Sequence, residues 1–343
     1  MNKTKKLKIL TTNVLHIGDF ILTTSALAIL KKTYPDSEIT VIAPKSVQKL
    51  VENNPVIDNV HYCPYPEYNF KSQIKRLFWI IFNWPALFFK RYDYCVILDS
   101  SRLSIITAKL LFVKIYGIDK NFSGLNISPE IQKYYGILHN INRSQMIIKS
   151  AFGIYNNALP VSPDYLPYVK KTERLIKDKK KTNIALCLRG AGDKRGAGSE
   201  YGIHSQWALD NFIKTINIIS ENRDDIDFYI VGVKNDYEYA EKAVLAAAKK
   251  NVANLCGKTS VLELIAFISS VSLLISVDTG TTHCAALTKT HIIVLRPDAD
   301  YIAPVTPRLT EISGEKLSLV TPEIVSGAAN KILDGLENNS GEI

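Results

Sequence analysis

Two short stretches hold residues whose types and order could do chemistry. The first, Ser276-Val277-Asp278-Thr279-Gly280-Thr281-Thr282-His283, follows the apolar run 271–275 and leads into the small residues Cys284-Ala285-Ala286-Leu287. That order reads as a strand, a Gly turn and a helix. A helix that starts this way presents unpaired N–H donors and the positive end of its dipole, which favours phosphate. Thr281 and Thr282 add hydroxyl donors, and His283 can add a third. An ordinary capped helix behind a buried strand would use the same residues. The second stretch, TNVLHIGDFILTT over 12–24, has one glycine, Gly18. A dinucleotide fingerprint needs three at fixed offsets, so a redox cofactor is disfavoured. What remains is Asp19 at a helix start, with Gly18 allowing close backbone approach and His16 in the same turn. Such an aspartate either complements the helix dipole or, placed at the carboxyl end of the first strand, acts on a substrate.

These residues need a sheet to position them. Short apolar runs alternate with longer helical patterns, the signature of a parallel sheet covered by helices. The first half predicts strands at 8–12, 38–43, 59–63 and 94–98, with helices near 20–32, 45–52 and 101–112. The pattern then weakens. Three prolines fall within 159–167, and a lysine-rich stretch runs on to Lys181, together the best linker. The strand–helix rhythm restarts at 183–188, 227–231, 252–255, 273–277 and 291–295, and a closing helix is expected over 322–336. With 343 residues the chain can build two separate cores. The expected division is 1–168, 169–320 and a closing helix and tail over 321–343.

Composition narrows the partners. Lys and Arg number 42 against 33 Asp and Glu, a net +9 that suits an anionic ligand, a lipid surface or nucleic acid. Much of the excess is local, at Lys3, Lys5, Lys6 and Lys8 and again from Lys170 to Lys181, where solvated flanks would look the same. The cysteines at 63, 95, 187, 256 and 284 have no paired spacing and read as buried thiols in a reducing compartment. Residues 9–13 are too short and polar for a signal-peptide core, so a cytoplasmic protein is expected. The six histidines show no metal-ligand spacing.

One segment breaks the pattern of a soluble domain: FKSQIKRLFWIIFNWPALFFKR over 70–91. Its apolar part, 77–89, is too short to span a bilayer and contains Asn83 and Pro85. Aromatics flanked by Lys71, Lys75, Arg76, Lys90 and Arg91 suit a helix lying among lipid head groups, which would make the protein peripheral on the inner face of the cytoplasmic membrane. A helix buried on the first sheet with its basic ends in water fits the same residues. The run is too apolar and continuous for a groove that stacks bases, so nucleic acid is disfavoured.

Taken in order, Ile17-Gly18-Asp19, Leu22-Thr23-Thr24-Ser25-Ala26-Leu27, Tyr34-Pro35-Asp36, Asn53-Asn54-Pro55, Tyr92-Asp93 through Asp99, and Asp278 through Leu287 resemble glycosyltransferase family 9, the lipopolysaccharide core heptosyltransferases. The resemblance implies a GT-B fold: two Rossmann-like, doubly wound α/β domains facing each other across a crevice. The first would bind the acceptor and the second the nucleotide sugar. It implies metal-independent, inverting transfer from ADP-heptose, with no cofactor beyond that donor, onto a lipopolysaccharide or other lipid-linked glycan. Asp19 takes the place of the general base on the acceptor hydroxyl, with Gly18 and His16 on the acceptor side. The diphosphate end of the donor maps onto Asp278, Thr279, Gly280, Thr281, Thr282 and His283. Asp236, four residues after Gly232, matches the acid that binds the ribose, and Thr259, before Ser260, falls where backbone meets adenine.

Two departures concern charge. The family has a lysine two residues before a tryptophan, and here Ser205 precedes Trp207. The cation for the diphosphate then comes from Arg189, Lys194 or Arg195 on a longer Gly-rich loop, or is missing. Arg296-Pro297 stands where the family has Gly-Pro, and Arg296 is a further possible cation or a plain surface residue. Two alternatives share the nucleotide site: a sugar-nucleotide epimerase of the same fold, and a nucleotide-binding module without catalysis.

Overall fold

The computed structural model describes residues 6–14, 16–64, 70–99, 101–117, 140–154, 156–189, 207–248, 251–297 and 304–340. The chain divides into two compact units, Met1–Asp164 and Tyr165–Ile343. In the first, the elements run β1 (Lys8–Thr12), α1 (Ile17–Thr33), β2 (Glu38–Pro44), α2 (Gln48–Glu52), β3 (Asn59–Cys63), α3 (Phe70–Phe89), β4 (Tyr94–Ile97), α4 (Arg102–Leu110), β5 (Lys114–Gly117) and α5 (Asn140–Phe152). The sheet order is β3-β2-β1-β4-β5, parallel throughout. β1 is buried from Ile9 to Thr12, as a central strand covered on both faces must be. The helix that follows is apolar on almost every side: α1 buries Phe20 through Leu27, then Ile29 and Leu30, and packs against α5.

The second unit runs α6 (Leu166–Thr172), β6 (Thr182–Cys187), α7 (Leu209–Asn222), β7 (Ile226–Ile230), α8 (Tyr237–Ala246), β8 (Val252–Asn254), α9 (Val261–Ile268), β9 (Leu273–Val277), α10 (Gly280–Ala286), β10 (His291–Pro297), β11 (Leu309–Gly314) and α11 (Pro322–Ser340). Its sheet order is β11-β10-β9-β6-β7-β8, again parallel. Side chains alternate across it. Ile184 and Leu186 of β6 join one core with Trp207 and Phe212, while Ala185 and Cys187 join the other with Tyr229 and Phe267. Trp207 is fixed by an Nε1 bond to the Val320 carbonyl at 2.8 Å and by edge-on contact with Phe212 at 4.7 Å between ring centroids.

Both sheets reverse their direction of winding at one place, between β1 and β4 in the first and between β6 and β9 in the second. In open α/β sheets such reversals leave a crevice beyond the carboxyl ends of the two strands, where ligands bind.

Several elements depart from the sequence reading. The lysine-rich stretch expected as a linker is folded: Pro167 sits in the first turn of α6, where its missing N–H costs nothing, and α6 packs on α9. The strands β5 (KIYG) and β11 (LTEISG), whose charged and polar residues interrupt the apolar run, and the polar-faced α5 escaped the apolar-run criterion. All five cysteines are free and buried. No described helix is long and apolar enough to cross a membrane.

Candidate active site

At the switch point of the second unit, the ends of β6 and β9 are tied together by a thiol. Cys187 Sγ lies 3.5 Å from Thr281 Oγ1, 3.8 Å from Thr279 Oγ1 and 3.6 Å from the Arg189 carbonyl. Burial pushes this thiol's pKa up, against the pull of the two hydroxyls, so it stays neutral beside the helix start. α10 is capped by Thr279, whose extended backbone lets its hydroxyl accept the Thr281 N–H at 3.0 Å. Thr282 is turned inward: it is fully buried, and its hydroxyl donates to the Thr279 carbonyl at 2.6 Å. The expected hydroxyl donor at position 282 is therefore spent on the turn itself. His283 is buried as well, whereas Asp278, Thr279, Gly280 and Thr281 remain half-exposed.

Of the cations expected near a diphosphate, Arg189 is at the end of β6 with its guanidinium stacked over the Tyr239 ring, 4.6 Å from the centroid. Lys194, Arg195 and Ser205 lie outside the described residues. Arg296 is not a surface residue: it is buried at the end of β10 and paired with Glu311 of β11 at 3.0 Å, because neighbouring parallel strands bring the two side chains together.

The next two strand ends carry Asp236 and Thr259. Asp236 closes a 3-10 turn over Lys234–Asp236, where its Oδ2 accepts the Val233 N–H at 3.0 Å. Gly232 makes room for that carboxylate, since a Cβ there would come within 2.9 Å of Oδ2. Gly257, with φ +73°, lets the loop after β8 close onto the loop after β7: its N–H reaches the Gly232 carbonyl at 2.9 Å, and a Cβ would meet Lys234 Cα at 2.8 Å. Thr259 follows, half-buried, just before the cap of α9. There Ser260 N–H donates to Glu263 at 2.8 Å, and Lys171 of α6 pairs with the same carboxylate. Lys171 first, then the Ser260 amide, pull the Glu263 pKa down to about 2. Thr279, Gly280, Thr281, Arg189, Asp236 and Thr259 thus stand in a row along one sheet edge, in the strand order β9, β6, β7, β8.

In the first unit, the turn after β1 is held from both sides. Asn13 N–H donates to the Ile42 carbonyl at 2.9 Å, and its side-chain amide reaches the Thr23 hydroxyl. His16 is exposed and precedes the first residue of α1. Gly18 is buried, and Asp19 is half-exposed in the first helical turn, where a carboxylate complements the dipole. The residue that fixes this turn is Asp99, at the end of β4. Its buried carboxylate accepts Val14 N–H at 3.0 Å, Ser101 N–H at 2.7 Å and the Ser104 hydroxyl at 2.9 Å. Burial raises its pKa, and those donors oppose the rise. Residue types and order alone do not single out Asp99. An aspartate at a strand end followed by two serines was the available signal, since Asp accepts from the amide two residues on.

Solved proteins share this fold. The structure of *E. coli* ADP-heptose lps heptosyltransferase II matches 96% of this chain and 100% of its own with a TM-score of 0.76 at 16% identity. *E. coli* heptosyltransferase WaaC with ADP matches 95% and 100% with a TM-score of 0.70 at 15% identity. The two parallel, doubly wound units are those of the GT-B fold. Lipopolysaccharide heptosyltransferase 1 of Campylobacter coli is 23% identical over 313 residues, 86% of this chain and 85% of the relative. The model of glycosyltransferase family 9 (heptosyltransferase) matches residues 84–319, and the chain belongs to that family. It is a glycosyltransferase.

Proposed function

We propose that the chain transfers heptose from an ADP-linked donor, with inversion, onto a lipid-linked glycan of the lipopolysaccharide-core class. The observation that carries this reading is the row of polar groups on the carboxyl edge of the second sheet. From β9 to β8 is three strand spacings, about 14 Å, a length that suits an extended nucleoside diphosphate. The diphosphate would meet the Thr279 and Gly280 amides, the Thr281 hydroxyl and Arg189, with Asp278 beside them and Thr282 and His283 shaping the turn from inside. Asp236 would take the ribose hydroxyls, and the backbone at Thr259 the adenine. Relatives named as heptosyltransferases, one of them solved with ADP, support the choice of donor.

In the first unit the acceptor hydroxyl would approach the turn holding His16, Gly18 and Asp19. Asp19 removes the hydroxyl proton as the oxygen attacks the anomeric carbon. The bond to the diphosphate breaks, and its electron pair leaves on a phosphate oxygen stabilised by the amides and by Arg189. The cation of Arg189 answers the missing family lysine, and the neutral thiol of Cys187 adds no repulsive charge.

Calorimetric titration of ADP tests the donor site. Arg189→Ala and Asp236→Ala should each weaken binding by roughly ten-fold or more, the cost of losing a hydrogen bond to a charged group. Asp19→Asn should leave it unchanged. Wild-type affinity in both the Arg189 and Asp236 variants would move the nucleotide away from this edge.

A further inference from the structure

Helix α3 has two apolar faces, and the described residues of its unit cover only one. Ser72, Ile80 and Leu87 turn inward. Trp79 Nε1 donates to the Tyr62 carbonyl at 2.6 Å and Trp84 Nε1 to the Leu110 carbonyl at 3.0 Å, which fixes the helix on β3 and α4. On the other side Leu77, Phe78, Ile81, Phe82 and Phe89 project into solvent within an arc of about 140°, at 100° per residue. Phe82 is 77% exposed and Phe89 75%.

The surface continues onto α4. Ile106 and Leu110 are exposed there, and just beyond the helix Phe112 is 85% exposed at φ +53°. That backbone region favours glycine, so a bulky ring is kept facing outward at a conformational cost. Contiguous apolar area of this kind marks an interaction site.

Charge says what it meets. Neither 70–91 nor 101–117 contains an Asp or Glu. Two of the cations expected to flank α3 serve the fold instead: Lys90 pairs with Glu38 at 2.7 Å, and Arg76 bonds the Ser72 hydroxyl at 3.2 Å. Lys71, Lys75, Arg91 and Lys109 are exposed around the apolar face. A second copy of the chain docked face to face would set these like charges against one another.

We propose that the exposed face of α3 and α4 docks on an anionic lipid bilayer. The rings would enter the boundary between head groups and acyl chains, with the lysines and Arg91 on the lipid phosphates and no segment crossing the membrane. The proposal rests on the lipid-linked acceptor for its purpose, though its test does not depend on transfer.

The full chain is sedimented with phosphatidylglycerol-containing vesicles and with phosphatidylcholine vesicles, at low and high salt. Wild type should prefer the anionic vesicles, and salt should reduce the preference. Lys71→Gln, Lys75→Gln and Arg91→Gln together should remove it, at roughly five-fold in partitioning for each cation. Phe82→Ser, Phe89→Ser and Phe112→Ser together should lower partitioning into both kinds of vesicle. ADP affinity and thermal midpoint, measured on the same preparations, should match wild type in both variants, so a wrong donor and a wrong membrane face give different results. Should the serine variant melt early, the glutamine variant and the salt series decide the matter alone. Equal partitioning of wild type and the glutamine variant would overturn the proposal. So would a concentration-dependent dimer that the serine variant abolishes in the absence of vesicle binding.

Discussion

At the scale of single residues, the site separates side chains aimed outward from those that hold the turn. Thr281 and Thr282 are neighbours with opposite work, because Thr282 donates to the Thr279 carbonyl inside the helix start while Thr281 stays half-exposed beside Cys187. Thr282→Ala should therefore lower the thermal midpoint, by about 2–4 °C for a hydrogen bond of about 1 kcal/mol. Thr281→Ala should leave the midpoint near wild type and weaken ADP instead, as scanning calorimetry and titration on the two variants would show. The pattern of Thr279 to His283 was legible as a helix start in the sequence. Which hydroxyl faces out was not, since that depends on the local cap geometry rather than on residue type. The same holds for Arg296, whose burial follows from a β11 partner, Glu311, that the sequence reading did not assign to a strand.

Elements decide where those residues stand. The β1–α1 turn that carries Asp19 is held by Asp99 at the end of β4, so Asp99→Asn should replace an acceptor by an amide facing N–H donors. Turnover should fall and the midpoint drop, with ADP affinity intact; a midpoint drop with unchanged turnover would leave Asp99 a purely structural anchor. In the second unit, Glu263 caps α9 and pairs with Lys171 of α6, and its folded pKa of about 2 lies below the ordinary 4.5. A depressed carboxylate stabilises the fold above its unfolded pKa, and that contribution is lost as pH falls from about 4.5 through about 2. Glu263→Ala should then cost about 1 kcal/mol near neutral pH and much less near pH 2, which thermal melts across that range would read. Strands 8–12 and 273–277, central in their sheets, were legible to the residue as short, largely apolar runs, and so was 59–63 at the edge of the first sheet. The edge strands β5 and β11 were not, and neither was α6, where lysines and a proline mimic a linker while one face packs on α9.

At the scale of the whole molecule, the motif order along the chain carried the family and the paired α/β architecture, whereas sheet order did not show in the sequence. It is the order β9-β6-β7-β8 that gathers Thr279, Arg189, Asp236 and Thr259, residues up to 90 positions apart, onto one edge. In the proposed function this edge holds an ADP-sugar whose transfer Asp19 assists. The most direct measurement is ADP release from ADP-heptose, with and without a truncated lipopolysaccharide core, for wild type and Asp19→Asn. ADP should appear only when the core is present, with one heptose added to it, and Asp19→Asn should release it about two to four orders of magnitude more slowly at unchanged ADP affinity. Wild-type rates in Asp19→Asn would remove Asp19 from catalysis, and ADP binding with no release from any sugar and acceptor pair would leave a nucleotide-binding module without transfer.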